Sequence, residues 1–466
     1  MKKLLVALLL LVSTVTANAQ LSTAFTDRLQ FVLDSVCTRL NIKGVSAALL
    51  VPGAGTWTGT HGESYAGHPI TSDMLFGINS NTKTYISTLM LKLQELGYVS
   101  VDDTIGTWIH GQPNINGQIT IKQLLNHTSG LYSFTDTAQF WDSVWNDPTR
   151  IWMPEDVLQF VYAPNFAPGA SWSYSNTNYL VAGLIIKQIM GQPLSASLSN
   201  YIFSPAGLTN TVFFPEEAPT ATVPHIWSVW FSGSYQEDVI TTYAYSHNAM
   251  FSMSYGAGAI MSTAEDNASF WHQLISGQII DTSSLNEMMQ YIYVGNSLGH
   301  PVGYGLGIFR YQDMPLFSGH TIYEHGGTNM GFINENCVDS VTGVTISVLT
   351  NQDSLDNNML FVYIMPALHN VSEQMPAVNK VPVQAGNKEI RIFPNPASDQ
   401  LSVEIPGNTG QLKLSISDMS GRDLVSNALD GNALQIATSG LPEGSYVLTI
   451  SSDKGTLKTQ KVTIVH

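Results

Sequence analysis

Residues 74–100 read MLFGINSNTKTYISTLMLKLQELGYVS. Ile86, Leu89, Met90, Leu93 and Leu96 recur at three- and four-residue steps, which predicts a helix with one apolar face, and Gly97 supplies its stop. On that helix Ser80 falls in the first turn and Lys83 lies one turn along on the same face. The pair reads either as an N-cap serine beside a solvated lysine or as a nucleophile beside its base. A serine hydroxyl is a poor nucleophile until something takes its proton. A lysine amine can do so if it is neutral, which at pH 7 costs roughly 4–5 kcal/mol against its unperturbed pKa. Burial among donors and cations shifts a lysine in that direction. The start of a helix adds N–H groups and partial positive charge for a developing oxyanion. Such chemistry also needs a proton relay and a second oxyanion donor.

Two later segments offer them. Residues 172–178, WSYSNTN, follow the turn Pro168-Gly169, and place a phenol at Tyr174 and an amide at Asn176. Tyr174 could share a proton with Lys83 so that the two titrate together. Residues 322–328, IYEHGGT, read as a strand ending in glycines, where another backbone can approach closely. Taken singly, the first is an ordinary polar loop, and the second a glycine bulge with an exposed His325.

The chain has 466 residues, a formal net charge of −16 and only 12% charged residues. That length allows one large core plus an appendage. No basic cluster is present, which argues against a nucleic-acid partner. Met1-Lys2-Lys3, the apolar run Leu4–Val12 and Ala17-Asn18-Ala19 form a signal peptide over residues 1–19, with the mature chain starting at Gln20. No other stretch approaches the ~20 apolar residues of a membrane span. Cys37 and Cys337 are the two cysteines. Cys37 flanks the stripe Phe25, Leu29, Val32, Leu33, Val36, Leu40, which favours a buried thiol, though an exported chain could join the two. No His, Cys or carboxylate set shows metal spacing, so no metal and no cofactor are expected.

Residues 20–370 mix helical and strand signals. GVSAALLV (44–51) and GTWTGTHGES (55–64) predict one hairpin, and GFINENCVDS with GVTISVLTN, joined at Val341-Thr342-Gly343, another. Strands at both ends with helices between them predict a mixed α/β (α+β) body: an antiparallel sheet flanked by helices, its edges drawn from distant parts of the chain. Residues 371–387 read as a linker. Residues 388–466 alternate short strands and turns, as in a small β-sandwich. Trp227, Trp230 and Tyr235 are candidates to wall a pocket for an apolar or ring-bearing substrate, or are simply packed. Met250, Met253 and Met261 read as core filler.

Ser80-Asn81-Thr82-Lys83, Tyr174-Ser175-Asn176 and His325-Gly326-Gly327 stand in the order and rough spacing of the penicillin-recognising serine hydrolases. Over about residues 25–368 the chain resembles the class C β-lactamase family with its D-alanyl-D-alanine carboxypeptidase and esterase relatives. Leu124–Leu131, Met261–Asp266 and Gly303–Gly307 also look like this family. The resemblance implies a helical subdomain beside the sheet, Ser80 as acylated nucleophile, and Lys83 and Tyr174 as proton-transfer pair. It implies an oxyanion hole from the Ser80 and Thr328 N–H groups, with Asn176, His325, Gly326 and Gly327 binding substrate. The family's β-lactamases usually carry Lys-Thr-Gly where this chain has His-Gly-Gly, and a histidine is mostly neutral at pH 7. That disfavours strong β-lactam hydrolysis and leaves acyl transfer intact.

The tail resembles type IX secretion sorting domains through Phe393–Ser398, Asp418–Arg422, Leu441–Tyr446 and Lys461. These resemblances imply an exported or cell-surface serine hydrolase acting on a small-molecule or peptide substrate, with export machinery as partner of the tail. The competing reading is a non-catalytic surface or peptidoglycan-binding protein that keeps the fold.

Overall fold

The computed structural model describes residues 21–230, 236–353, 359–374, 391–393, 397–404, 411–418, 422–430, 433–452 and 455–465. The expected signal peptide and most of the expected linker lie outside them. The chain divides into two compact units, Met1–Val383 and Gln384–His466.

In the first unit, helix α1 (Thr23–Leu40) starts at Ser22, whose side chain accepts from Phe25 N–H. The first predicted hairpin forms as β1 (Gly44–Val51) and β2 (Gly55–Tyr65), followed by β3 (His68–Pro69). After a long helical interval come β4 (Ile292–Ser297), β5 (His300–Tyr304), β6 (Phe309–Met314), β7 (His320–Glu324) and β8 (Gly327–Asn329). The second predicted hairpin is β9 (Phe332–Asp339) and β10 (Thr345–Thr350). They form one 10-stranded antiparallel sheet in the order β3-β2-β1-β10-β9-β7-β6-β5-β4, with β8 paired to β9. The two hairpins therefore meet inside the sheet, Val45 opposite Thr350, and its edges are β3 and β4.

Alternation along the strands builds two cores. Val45, Ala47, Leu49, Cys337, Ile346 and Val348 pack with Leu29 and Leu33 of α1 and with Leu368 of the last helix of the unit, α5 (Met365–Glu373). Ala48, Val338 and Leu349 face the other way. They join Ile86 and Leu89 of α2 (Thr82–Glu95), Leu180 of α3 (Asn176–Met190) and Phe270 of α4 (Ala264–Ile275). Helices thus cover both faces, with the helical subdomain on the α2 side. Because α5 continues to Glu373, the first three residues of the expected linker are helical. Cys37 and Cys337 are both buried free thiols. Gly97 follows α2 with φ 78°, the left-handed geometry that its lack of a side chain permits.

In the second unit, a three-stranded sheet (Arg391–Phe393, Gln400–Glu404, Ala433–Ala437) and a four-stranded one (Asp423–Asp430, Gln411–Ser417, Gly444–Ser452, Gly455–Ile464) share a core. Leu401, Val403, Leu414, Ile416, Leu448, Ile450 and Val462 fill it. Tyr446 donates its hydroxyl to the Pro442 carbonyl at 2.6 Å. No helix among the described residues is long and apolar enough to cross a membrane.

Ile346 is fully buried at the centre of the sheet. Ile346→Ala should lower unfolding free energy by about 2–5 kcal/mol, read by denaturant titration of the purified chain.

Candidate active site

Ser80 stands in a 3-10 turn, Asn79–Asn81, that feeds α2 at Thr82. Asn79 has φ 48° and donates its amide to the Phe332 carbonyl at 2.9 Å, tying the turn to β9. The N-cap position of α2 is Asn81, not Ser80, and no side chain caps the helix. Ser80 Oγ instead accepts from Lys83 Nζ at 3.0 Å.

Lys83 is 0% exposed. Its Nζ also donates to the Ala257 carbonyl at 2.8 Å, and lies 5.0 Å and 5.7 Å from the ring centres of Tyr174 and Tyr179. Burial holds its pKa well below the usual lysine value, favouring the neutral amine. The Tyr174 hydroxyl faces Ser80, whose influence lowers the phenol's pKa. Burial raises the Tyr174 pKa against that influence, and Glu324 adds to the rise, so the phenol keeps its proton. Ser80 thus lies between a lysine pushed toward its neutral form and a tyrosine held in its protonated form. That arrangement can accept a proton on one side and deliver one on the other.

The loop carrying Tyr174 is held by His127, a buried residue at φ 62°. Its Nδ1 accepts from the Ser175 N–H at 3.1 Å and lies 2.9 Å from Asn178 Nδ2. Asn176 opens α3, and its amide donates to Thr135 Oγ1 at 3.0 Å.

Opposite the serine, Gly327 approaches the Ser80 turn so closely that a Cβ there would lie 2.4 Å from the Ile78 carbonyl oxygen and 2.8 Å from Ser80 N. Gly326 has a different reason: a Cβ there would meet the Glu335 carboxylate at 2.4 Å. Thr328 is exposed and shares with Ser80, Asn176, Trp141, Trp230 and Met253 the lining of a cavity of about 140 Å³. The rings of Trp141 and Trp230 meet edge to face at 5.4 Å.

A chain of buried amides ties the Ser80 turn to the strand edge. Asn81 Oδ1 accepts from Trp271 at 3.0 Å, and Asn81 Nδ2 donates to Asn267 Oδ1 at 3.2 Å. Asn267 also takes the Tyr85 hydroxyl at 2.9 Å and donates to Asn336. Asn336 in turn donates to the His325 carbonyl at 3.3 Å. Asn267, Asn336 and His127 were not singled out for roles in the sequence; His127 lay in a segment noted for its family likeness.

The geometry brings Ser80, Lys83 and Tyr174 together, with Asn176, Gly327 and Thr328 around them. It does not put His325 in the cavity. His325 is 2% exposed, its Nδ1 bonded to the Gly326 carbonyl at 2.7 Å and its Nε2 to the Tyr304 hydroxyl at 3.2 Å. Burial first, then the Lys83 charge, lower its pKa to about 3, so it carries no charge at neutral pH. Trp230 walls the cavity, whereas Trp227 packs elsewhere, donating to the Ser64 carbonyl at 2.8 Å; Tyr235 lies outside the described residues. Met250, Met253 and Met261 are buried, and Met253 also reaches the cavity.

His320, Asp339, His369 and Glu373 lie close enough together to be candidate metal ligands, away from this site. They come from two strands and a helix, so no sequence spacing announces them.

Fold and site have the organisation of the β-lactamase fold. The chain belongs to the Beta-lactamase family, whose model matches residues 25–365, and residues 391–465 match the Secretion system C-terminal sorting domain. Among curated relatives, the PbpX protein of Bacillus subtilis (strain 168), named for penicillin binding, is 29% identical over 260 residues, 55% of this chain and 59% of PbpX. Protein flp of Staphylococcus aureus (strain COL) is 34% identical over 145 residues, 30% of this chain and 28% of flp. The match thus spans well under two thirds of either relative. Two solved structures are covered almost completely. A D-stereospecific amidohydrolase from Streptomyces sp. is 28% identical with TM-score 0.62, over 72% of this chain and 97% of that one. The D-amino acid amidase of Ochrobactrum anthropi SV3, complexed with D-phenylalanine, is 25% identical with TM-score 0.65, over 76% of this chain and all (100%) of that one.

Gly327→Ala should force the strand edge away from Ser80 N. Labelling of Ser80 by a fluorophosphonate should slow by at least about 100-fold, the scale of a lost oxyanion donor, while thermal unfolding stays cooperative.

Proposed function

We propose that this chain is an exported serine hydrolase that forms an acyl-enzyme at Ser80 on an amide or ester, with a preference for D-configured or small peptide substrates. The observation that carries the reading is Lys83: a fully buried amine 3.0 Å from Ser80 Oγ, with burial lowering its pKa. Neutral Lys83 takes the Ser80 proton as Oγ attacks the carbonyl carbon. The Ser80 and Thr328 N–H groups hold the oxyanion. The Tyr174 hydroxyl gives its proton to the departing amine or alkoxide and recovers one from Lys83. Water, activated by the same pair, then releases the acid. Asn176 and the strand at Gly326-Gly327 orient the substrate.

The Trp141–Trp230 wall favours an apolar or aromatic group next to the scissile bond. The amidase relatives support amide cleavage on D-amino acid derivatives. A class C type kinship of sites supports the same acyl chemistry. Neutral His325 leaves no fixed charge at the position where β-lactamases of the family place lysine, which disfavours penicillin hydrolysis. The alternative of a non-catalytic binder has no use for a desolvated lysine against a serine, because burying an amine without a task is unfavourable. Residues 1–19 and the sorting domain support export to the cell surface or beyond, the domain at 388–466 serving as address and not as part of the catalytic unit.

Ser80→Ala should abolish the acyl adduct that a slow substrate leaves on the peptide containing residues 80–83, and lower turnover by several orders of magnitude. Retention of near-normal turnover would sink the mechanism. A screen of D-phenylalanine amide, a D-Ala-D-Ala peptide, a short-chain ester and penicillin ranks the substrates, penicillin being expected last.

The kcat/KM profile should be flat through neutral pH and fall on the acid side, as Lys83 gains a proton below its lowered pKa. Lys83→Arg, charged at every working pH, should be inactive throughout. A chain truncated after residue 387 should keep its specific activity, measured on the purified protein.

A further inference from the structure

We propose that His320, Asp339, His369 and Glu373 form a binding site for one divalent cation of the zinc type, a staple that fixes the last helix of the catalytic unit to the sheet. One ligand atom from each side chain lies within 4.8 Å of all the others. A tetrahedral zinc with bonds of about 2.1 Å needs its ligand atoms roughly 3.4 Å apart, so small side-chain adjustments suffice.

The donors converge from three elements. His320 opens β7, Asp339 ends β9, and His369 and Glu373 lie one turn apart on α5, where i and i+4 side chains share a face. Strand alternation puts His320, Ile322 and Glu324 on the face of the sheet that α1 and α5 cover. The same alternation puts His325 and Gly327 on the opposite face, toward Ser80. The cluster therefore sits across the sheet from the serine and several residues along the strands.

The cluster is largely buried and hydrogen-bonded. Asp339 and His369 side chains are 0% exposed, and His320 is 19% exposed. Asp339 Oδ2 lies 2.8 Å from His320 Nδ1 and 2.7 Å from His369 Nε2. The Val341 N–H at 2.8 Å and the Thr342 hydroxyl at 2.8 Å fix the carboxylate from behind, as outer hydrogen bonds orient metal ligands. Asp339 pairs with both of these histidines. Glu373 is the last residue of α5 and adds a second carboxylate to the cluster. Two imidazoles with two carboxylates suit zinc, whereas calcium and magnesium take oxygen ligands. On binding, the metal replaces the protons that His320 Nδ1 and His369 Nε2 present to Asp339. In neutral rings each proton moves to the other ring nitrogen; from imidazolium it is released to solvent.

The test uses the purified full chain, stripped with EDTA and reloaded with zinc or cobalt(II) chloride. The expected result is one metal per chain, a visible tetrahedral cobalt(II) spectrum and a higher Tm than the stripped protein. His320→Gln and Glu373→Gln, both at partly exposed positions, should each weaken zinc binding by at least about tenfold and leave Ser80 acylation unchanged. Substoichiometric metal with no cobalt spectrum and no gain in Tm would overturn the proposal. So would variants that bind zinc as tightly as the parent. If either variant fails to fold, the cobalt spectrum and Tm of the parent chain decide alone.

Discussion

The structure turns on the desolvation of one amine. Lys83 is buried with no carboxylate paired to it among the described residues, and it donates to a serine hydroxyl and a backbone carbonyl. An ammonium in that setting is disfavoured, and the price of keeping the side chain there is met by the cores around it. α2 brings Ser80 and Lys83 onto one side, the Tyr255–Ala257 turn presents the carbonyl, and the loop before α3 closes over them with Tyr174. His127 matters because it holds that loop. Gly327 matters because any side chain there would push the opposing strand off the serine.

The sheet and the helical side are registered to one another by polar contacts inside an apolar core. Asn81, Asn267 and Asn336 satisfy one another from the Ser80 turn to the strand edge. Buried amides tolerate little displacement, since a broken contact leaves donors unpaired. This holds the Ser80 turn to the His325 end of the strand edge. Beneath the same edge, burial raises Glu324 to about 7, and burial together with Glu324 raises Glu335. Two carboxyls thus sit under Gly326 while the serine side carries the lysine.

Much of this was legible in the sequence, and the reason differs by element. Both hairpins announced themselves through period-2 alternation broken by turn residues, and α2 through its apolar period and Gly97. The serine–lysine–tyrosine set was legible from three short motifs in order, although Ser80 turned out to sit in a 3-10 turn before the helix. The Asp423–Asp430 strand lacks clean alternation, since Leu424-Val425 and Ala428-Leu429 stand in adjacent pairs, and its described side chains are exposed or half-buried. Asn267, Asn336 and the His320–Asp339–His369–Glu373 cluster are set by tertiary proximity between elements far apart in the chain, which no window of sequence carries. The setting of the His325 ring is tertiary in the same way: a motif fixes which residue stands at the strand end, while the neighbours decide what its ring touches.

The pairing of β1 with β10 has a kinetic consequence. Its register joins residues roughly 300 positions apart, Val45 with Thr350. The centre of the sheet cannot close until nearly the whole catalytic unit is available. Non-local closure slows folding, because chain entropy is lost before the contacts form. Until then α1 and the first hairpin expose an apolar face with nothing to cover it. A chain built this way stays open and extensible for as long as its β9–β10 hairpin is held back.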